Sequence, residues 1–214
     1  MSDISDPLAE VREAYKRYRD DIRKKIREFE GVGNCGHERI FLELVYCLLT
    51  PQSKAIYAWD IVRELYLNGC LWNCTAKELS EYLRRIRFRF NKSRYIVEAR
   101  EDFLNGVLDF KDLLEGSPLI VRHRLARRIK GFGYKEASHF LRNIGFTFQI
   151  AILDRHILRY MVKFNLISEV PKALSPKRYI LLEDRFIWFS KYLGLSPAEL
   201  DLLLWAIETG YVFK

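Results

Sequence analysis

The stretch Leu125-Ala126-Arg127-Arg128-Ile129-Lys130-Gly131-Phe132-Gly133-Tyr134-Lys135-Glu136-Ala137-Ser138-His139-Phe140-Leu141-Arg142-Asn143-Ile144 decides how the chain is read. An amphipathic helix ends at Lys130, Gly131-Phe132-Gly133 makes a tight turn, and a second helix begins at Lys135, which together form a helix-hairpin-helix. Two glycines permit positive φ and leave backbone amides uncovered, so those amides and the positive end of the second helix can hold a phosphate. Arg122, Arg124, Arg127, Arg128 and Lys130 add cationic charge to that approach. A Gly-X-Gly between helices is also what an ordinary helix–helix turn with a C-cap glycine looks like, so the motif needs company to carry a function.

Outward from the hairpin, apolar residues recur at three- and four-residue spacing and no long alternating run appears, which makes the chain all-α. The spacing predicts helices near 7–29, 37–49, 52–67, 76–86, 92–104, 118–129, 135–144, 155–164, 176–192 and 197–209. Asp6-Pro7, Ser117-Pro118, Ser175-Pro176 and Ser196-Pro197 each offer an N-cap followed by Pro at the first helical position. Thr75 with Glu78, and Ser196 with Glu199, fit the reciprocal capping box. No linker, low-complexity tract or repeat separates parts of the chain. Two touching helical lobes with a cleft between them are expected: a bundle over 40–146 that ends in the hairpin, and a second lobe of 1–39 with 147–214.

Over 214 residues, 49% are hydrophobic and 30% charged, enough apolar material for a core and too little imbalance for a disordered chain. Lys and Arg outnumber Asp and Glu by 36 to 28, a formal charge of +8 that suits a phosphate-bearing or other anionic partner. No stretch approaches the about 20 uncharged apolar residues of a membrane span, and the charged N-terminal run lacks a signal-peptide core. A soluble, cytoplasmic protein without a membrane partner is expected. Cys35, Cys47, Cys70 and Cys74 lack Cys-X-X-Cys spacing. Cys70 and Cys74 are four apart and could hold a metal, but no second pair completes a site, so they read as unremarkable thiols. His37, His123, His139 and His156 show no ligand spacing, and neither metal nor cofactor is expected.

What gives the hairpin company is Lys135. A lysine in a helix's first turn is repelled by the dipole, which disfavours its charged form, and an uncharged amine is what a Schiff-base nucleophile needs. An exposed lysine of no consequence is the plain alternative. Further on lies Asp154, in Ala151-Ile152-Leu153-Asp154-Arg155-His156, placed to cap the helix that follows. A carboxylate held by backbone amides stays ionised and can stabilise oxocarbenium-like charge on a sugar.

Gly131-Phe132-Gly133-Tyr134-Lys135 followed at this interval by Ile152-Leu153-Asp154-Arg155-His156 resembles the helix-hairpin-helix DNA glycosylases. Within that superfamily, Lys135 to Asn143, Ala151 to Asp154, Leu48-Leu49-Thr50-Pro51-Gln52-Ser53 and Asp201 to Trp205 are similar to the short archaeal and thermophilic bacterial 8-oxoguanine DNA glycosylase/AP lyases. The resemblance spans roughly residues 38 to 214. It implies a two-lobed fold with an interlobe active site, and an enzyme that flips oxidised guanine from duplex DNA. Lys135 would attack C1′, expel the base and hold the sugar as an imine whose β-elimination nicks the strand, with Asp154 steadying the cationic transition state. No cysteine follows Cys74, so the iron–sulfur cluster of endonuclease III relatives is excluded.

The same resemblance assigns further residues. Gln52 starts a helix where related enzymes fill the gap left by the extruded nucleotide; a surface or capping role is the alternative. One of Phe88 and Phe90, with Phe88 favoured, would sandwich the flipped base with Trp205, although core packing would also account for these rings. The oxidised base carries hydrogen on N7, so its reader must accept a hydrogen bond; the terminal carboxylate of Lys214 can, and the family implicates its C-terminal residue in that choice. Gly131, Gly133 and Lys130 would grip the backbone. The implied partner is double-stranded DNA bearing 8-oxoguanine or an abasic site, met by a monomer. An oxidised-pyrimidine glycosylase of the same fold and a non-catalytic DNA-binding module are the rival readings.

Overall fold

Capping side chains start several helices as the sequence implies. Thr75 Oγ1 and Ser196 Oγ accept the amides of Glu78 and Glu199 at 3.3 and 3.2 Å, and both carboxylates return a bond to the amide of their cap at 2.7 and 2.9 Å. Ser175 caps through the amide of Arg178 at 3.3 Å, while Ser117 makes no side-chain cap and leaves Pro118 to set the first turn. The computed structural model describes residues 7–214, so the cap expected of Asp6 lies outside the described residues.

All regular elements among the described residues are helical: α1 (Pro7–Gly33), α2 (His37–Leu49), α3 (Ala55–Leu67), α4 (Cys70–Asn73), α5 (Ala76–Tyr82), α6 (Arg89–Leu104), α7 (Phe110–Leu113), α8 (Pro118–Arg128), α9 (Tyr134–Asn143), α10 (Arg155–Lys163), α11 (Pro176–Tyr192) and α12 (Pro197–Thr209). No helix among the described residues is long and apolar enough to cross a membrane.

The chain divides into two compact units, Val32–Ile144 and Met1–Gly31 with Gly145–Lys214. In the first, α2 is the axis: every residue from Ile40 to Leu49 is buried, and α3, α6 and α9 pack around it. Phe41, Trp72 and Phe103 form a three-ring cluster there, the Phe41 centroid lying 5.3 and 4.9 Å from the other two, which are 5.9 Å apart. In the second unit α12 packs on α10 and α11, and Met161, Phe186, Leu200 and Leu203 close its core.

The departures from the sequence expectation are local. Gln52 does not start a helix: it takes φ 55 in the turn after α2, and α3 begins only at Ala55. Phe88 takes φ 60 and α6 starts directly after it, earlier than expected. Cys70 and Cys74 are not unremarkable thiols but are joined in a disulfide. Gly69, at φ 74, turns the chain into the one-turn α4, which brings their Cα atoms to 4.7 Å, inside disulfide range.

Candidate active site

The hairpin is a junction in which each glycine has a separate reason to be one. Gly131 takes φ +92, and a Cβ there would lie 2.6 Å from Tyr95 Cδ2 and 3.1 Å from Leu48 Cδ2, so no other residue fits. Gly133, against the expectation, is extended at φ −111. It is small because a Cβ would stand 3.2 Å from Glu136 Oε2, the atom that accepts the Gly133 amide at 3.0 Å. The amide at the hairpin's exit is therefore not uncovered; a carboxylate of its own helix holds it.

The basic residues around the hairpin are also more committed than their charge suggests. Arg122 is fully buried with its guanidinium 4.9 Å above the Tyr134 ring, and Tyr134 Oη lies 2.9 Å from His123 Nδ1. Arg124 donates to the carbonyls of Asp112, Leu113 and Glu115 at 2.8, 3.1 and 2.9 Å, and Arg128 to that of Val107 at 2.8 Å. Lys130 pairs with Glu98 at 3.0 Å beside the Tyr95 ring. Arg127, Arg128 and Lys130 are all exposed, and of these Arg127 makes no such bond among the described residues. Arg122, Arg124 and Arg128 are thus tied to groups of their own unit.

Lys135 is the second residue of α9 and keeps only a fifth of its side-chain surface, 20%, with Nζ 3.7 Å from Glu136 Oε1. The same unit presents the aromatic candidates. Phe88 and Phe90 are 52% and 61% exposed, which removes core packing as their explanation. Arg87 lies 5.1 Å over the first ring and Arg89 4.6 Å over the second, and both rings keep free area for stacking. Gln52 is exposed.

In the other unit Asp154 is the N-cap of α10, with Oδ1 accepting the Ile157 amide at 2.8 Å. Sequence reasoning found the cap but missed what delivers it. Glu183, buried in α11, accepts the Ala151 amide at 2.9 Å; Tyr179 Oη donates to the Ala151 carbonyl at 2.8 Å and accepts the Leu153 amide at 3.1 Å. These bonds hold the non-helical approach to Asp154 as a sheet partner would. Glu183 is one charged residue among several in α11, so nothing in the sequence singled it out.

Trp205 is half-buried in α12, and His156, two residues after Asp154, stands against its ring with centroids 6.0 Å apart. His156 Nε2 donates to the Leu204 carbonyl at 3.2 Å while Nδ1 pairs with Glu208. Tyr160 also meets that histidine edge-on at 5.1 Å, and burial, with the carboxylates of Glu208 and Glu10, pushes its phenol up to about 12. Lys214 is half-buried.

A glycine hairpin, a lysine opening the next helix and an aspartate capping a later one define a helix-hairpin-helix DNA glycosylase. Comparison narrows the class: the sequence model of the 8-oxoguanine DNA glycosylase family matches residues 22–195. The 8-oxoguanine DNA glycosylase/AP lyase of Fusobacterium nucleatum is 42% identical, covering 96% of both chains, and that of Methanocaldococcus jannaschii is 40% identical over 92% of this chain and 93% of its own. The crystal structure of the Thermotoga maritima 8-oxoguanine DNA glycosylase is similar with a TM-score of 0.88 at 35% identity, covering 97% of this chain and 98% of that one. A Methanocaldococcus jannaschii 8-oxoguanine glycosylase/lyase crystallised with a 15mer DNA containing 8-oxoguanine matches with a TM-score of 0.87 at 36% identity, covering 97% and 99%. The chain belongs to the 8-oxoguanine DNA glycosylase family.

Proposed function

We propose that the chain excises 8-oxoguanine from duplex DNA and then nicks the strand, with Lys135 as nucleophile and Asp154 as electrostatic partner on the same nucleotide. It acts as a monomer inside the cell. The observation that carries this reading is the end-to-end likeness to enzymes of that activity, in a chain whose hairpin leads straight into a half-buried lysine.

Lys135, after giving up a proton, bonds through its amine nitrogen to C1′ as the C1′–N9 bond breaks, and the base leaves with the electron pair and takes up a proton. One N–H proton passes to the ring oxygen as the C1′–O4′ bond breaks, and the protonated imine that results keeps the other. That imine acidifies C2′; a base removes its proton, and the C3′–O bond breaks so that the strand on the 3′ side leaves with a 5′ phosphate. Asp154 contributes at the first step, when positive charge spreads over C1′ and the ring oxygen: its carboxylate, already fixed by the Ile157 amide, offers negative charge without reorganising. Exposed Phe88 and half-buried Trp205 supply stacking faces for the extruded base, with Phe90 the alternative to Phe88. The terminal carboxylate of Lys214 accepts the N7 hydrogen that ordinary guanine lacks. Gln52 enters the gap in the duplex, while the hairpin at Gly131 and Gly133, with exposed Lys130, meets the backbone through groups other than the Gly133 amide, which Glu136 holds.

Borohydride trapping on an 8-oxoguanine duplex tests the reading. Wild type gives a covalent complex, Lys135→Gln gives none, and Asp154→Asn, which keeps the capping acceptor but loses the charge, forms it about a hundredfold more slowly. DNA binding without any trapping would leave only a DNA-binding module, and trapping on thymine glycol in place of 8-oxoguanine would move the specificity to oxidised pyrimidines.

A further inference from the structure

Lys92 is 5% exposed, in the first turn of α6, and is absent from the site as read so far. An ammonium has three hydrogens to donate, and three acceptors receive them: the carbonyls of Leu49 and Pro51 at 2.9 and 2.6 Å and Ser53 Oγ at 3.3 Å. Leu49 is the last residue of α2, where carbonyls lack helical partners and the dipole favours a cation. None of the three acceptors is a carboxylate, and burial together with the nearby charge of Lys135 lowers the Lys92 amine to about 8. An apolar side chain of the same length would fill this space without desolvating a charge.

What the charge achieves is seen in the residue it brackets. Two of its acceptors, on Pro51 and Ser53, flank Gln52, whose φ of 55 is a conformation that side chains with a Cβ rarely hold unaided. The backbone amide of Lys92 meanwhile bonds the carbonyl of Phe88 at 3.0 Å, fixing the other left-handed residue of this unit's exposed candidates.

We infer that Lys92 is the positioning residue of the Gln52 turn: it ties the end of α2 to the start of α6 and holds Gln52 outward for insertion into DNA. This rests on the reading of Gln52 proposed above, and the test separates the two. Single-turnover excision from an 8-oxoguanine duplex is measured for Lys92→Met, Gln52→Ala and the double variant, beside borohydride trapping on a single-stranded abasic oligonucleotide, where no base is extruded. Each single variant slows excision about tenfold, the double is no more than about twofold slower than either, and Lys92→Met lowers single-stranded trapping by at most about twofold. Excision left intact by Lys92→Met but slowed by Gln52→Ala overturns the role of Lys92 and leaves that of Gln52. Multiplying effects in the double, or trapping that falls as far as excision, also overturn it, the latter because Lys92 would then act through Lys135. A neutral Gln52→Ala removes both readings. Should Lys92→Met not fold, Ser53→Ala deletes one acceptor and is expected to slow excision about threefold, with no further loss when combined with Gln52→Ala; an unchanged rate overturns the inference.

Discussion

Lys135 opens a helix whose preceding turn is dictated by two glycines and one carboxylate within a few residues, whereas Asp154 opens a helix whose approach is held by Tyr179 and Glu183, brought in from α11. The first arrangement is local: backbone sign, Cβ clearance and a capping bond are written in consecutive positions. The second is tertiary, since nothing in Ala151-Ile152-Leu153 says which side chains will satisfy its amides and carbonyls. Two residues proposed for one reaction thus depend on different kinds of information, and they should fail in different ways.

The sharpest separation comes from Lys135→Gln, which is expected to cost at least about a thousandfold in strand nicking while leaving the unfolding midpoint within a degree or so, as read by gel assay and thermal melt. Gly131→Ala should do the reverse, losing about 3 kcal/mol in denaturant unfolding because positive φ and the Tyr95 contact act together. Stability near the experiment's upper pH limit probes the hairpin unit's buried cation. The Lys92 amine sits at about 8 against an ordinary 10.5, so the unfolded chain binds more protons between those values, and the wild type gains stability there as pH rises. Relative to Lys92→Met, that gain should be about 2 kcal/mol from pH 8 to 10.5, with no such change below 7. Tyr179→Phe leaves the Ala151 carbonyl and Leu153 amide unpaired, a loss of about 1 to 2 kcal/mol that should appear with slower excision, whereas an unchanged excision rate would break the link between α11 and Asp154. Smallest is Gly133→Ala, about 0.5 to 1 kcal/mol, because the Glu136 side chain can shift where the Tyr95 ring cannot.

The same division explains what the sequence disclosed. Ten long helices follow from apolar spacing and capping residues, and both capping boxes form as written. The one-turn α4 and α7 are too short for a period to show. Lys135 and Asp154 were legible because each sits beside a helix start. The left-handed turns at Gln52 and Phe88 were not, since neither residue type advertises positive φ and the bonds that hold Gln52 come from Lys92 on α6. Net charge misled in one respect: a basic hairpin suggests cations turned to solvent, yet Arg122 and Arg124 satisfy internal groups. A count of positive residues cannot tell a buried brace from a surface contact.

The Ile157 amide engages one oxygen of Asp154, while the other has no hydrogen-bond partner among the described residues. Freezing that rotamer draws on folding free energy long before any substrate arrives. Its orientation is therefore inherited from the helix, and no torsional search remains for the part proposed for it in breaking the glycosidic bond.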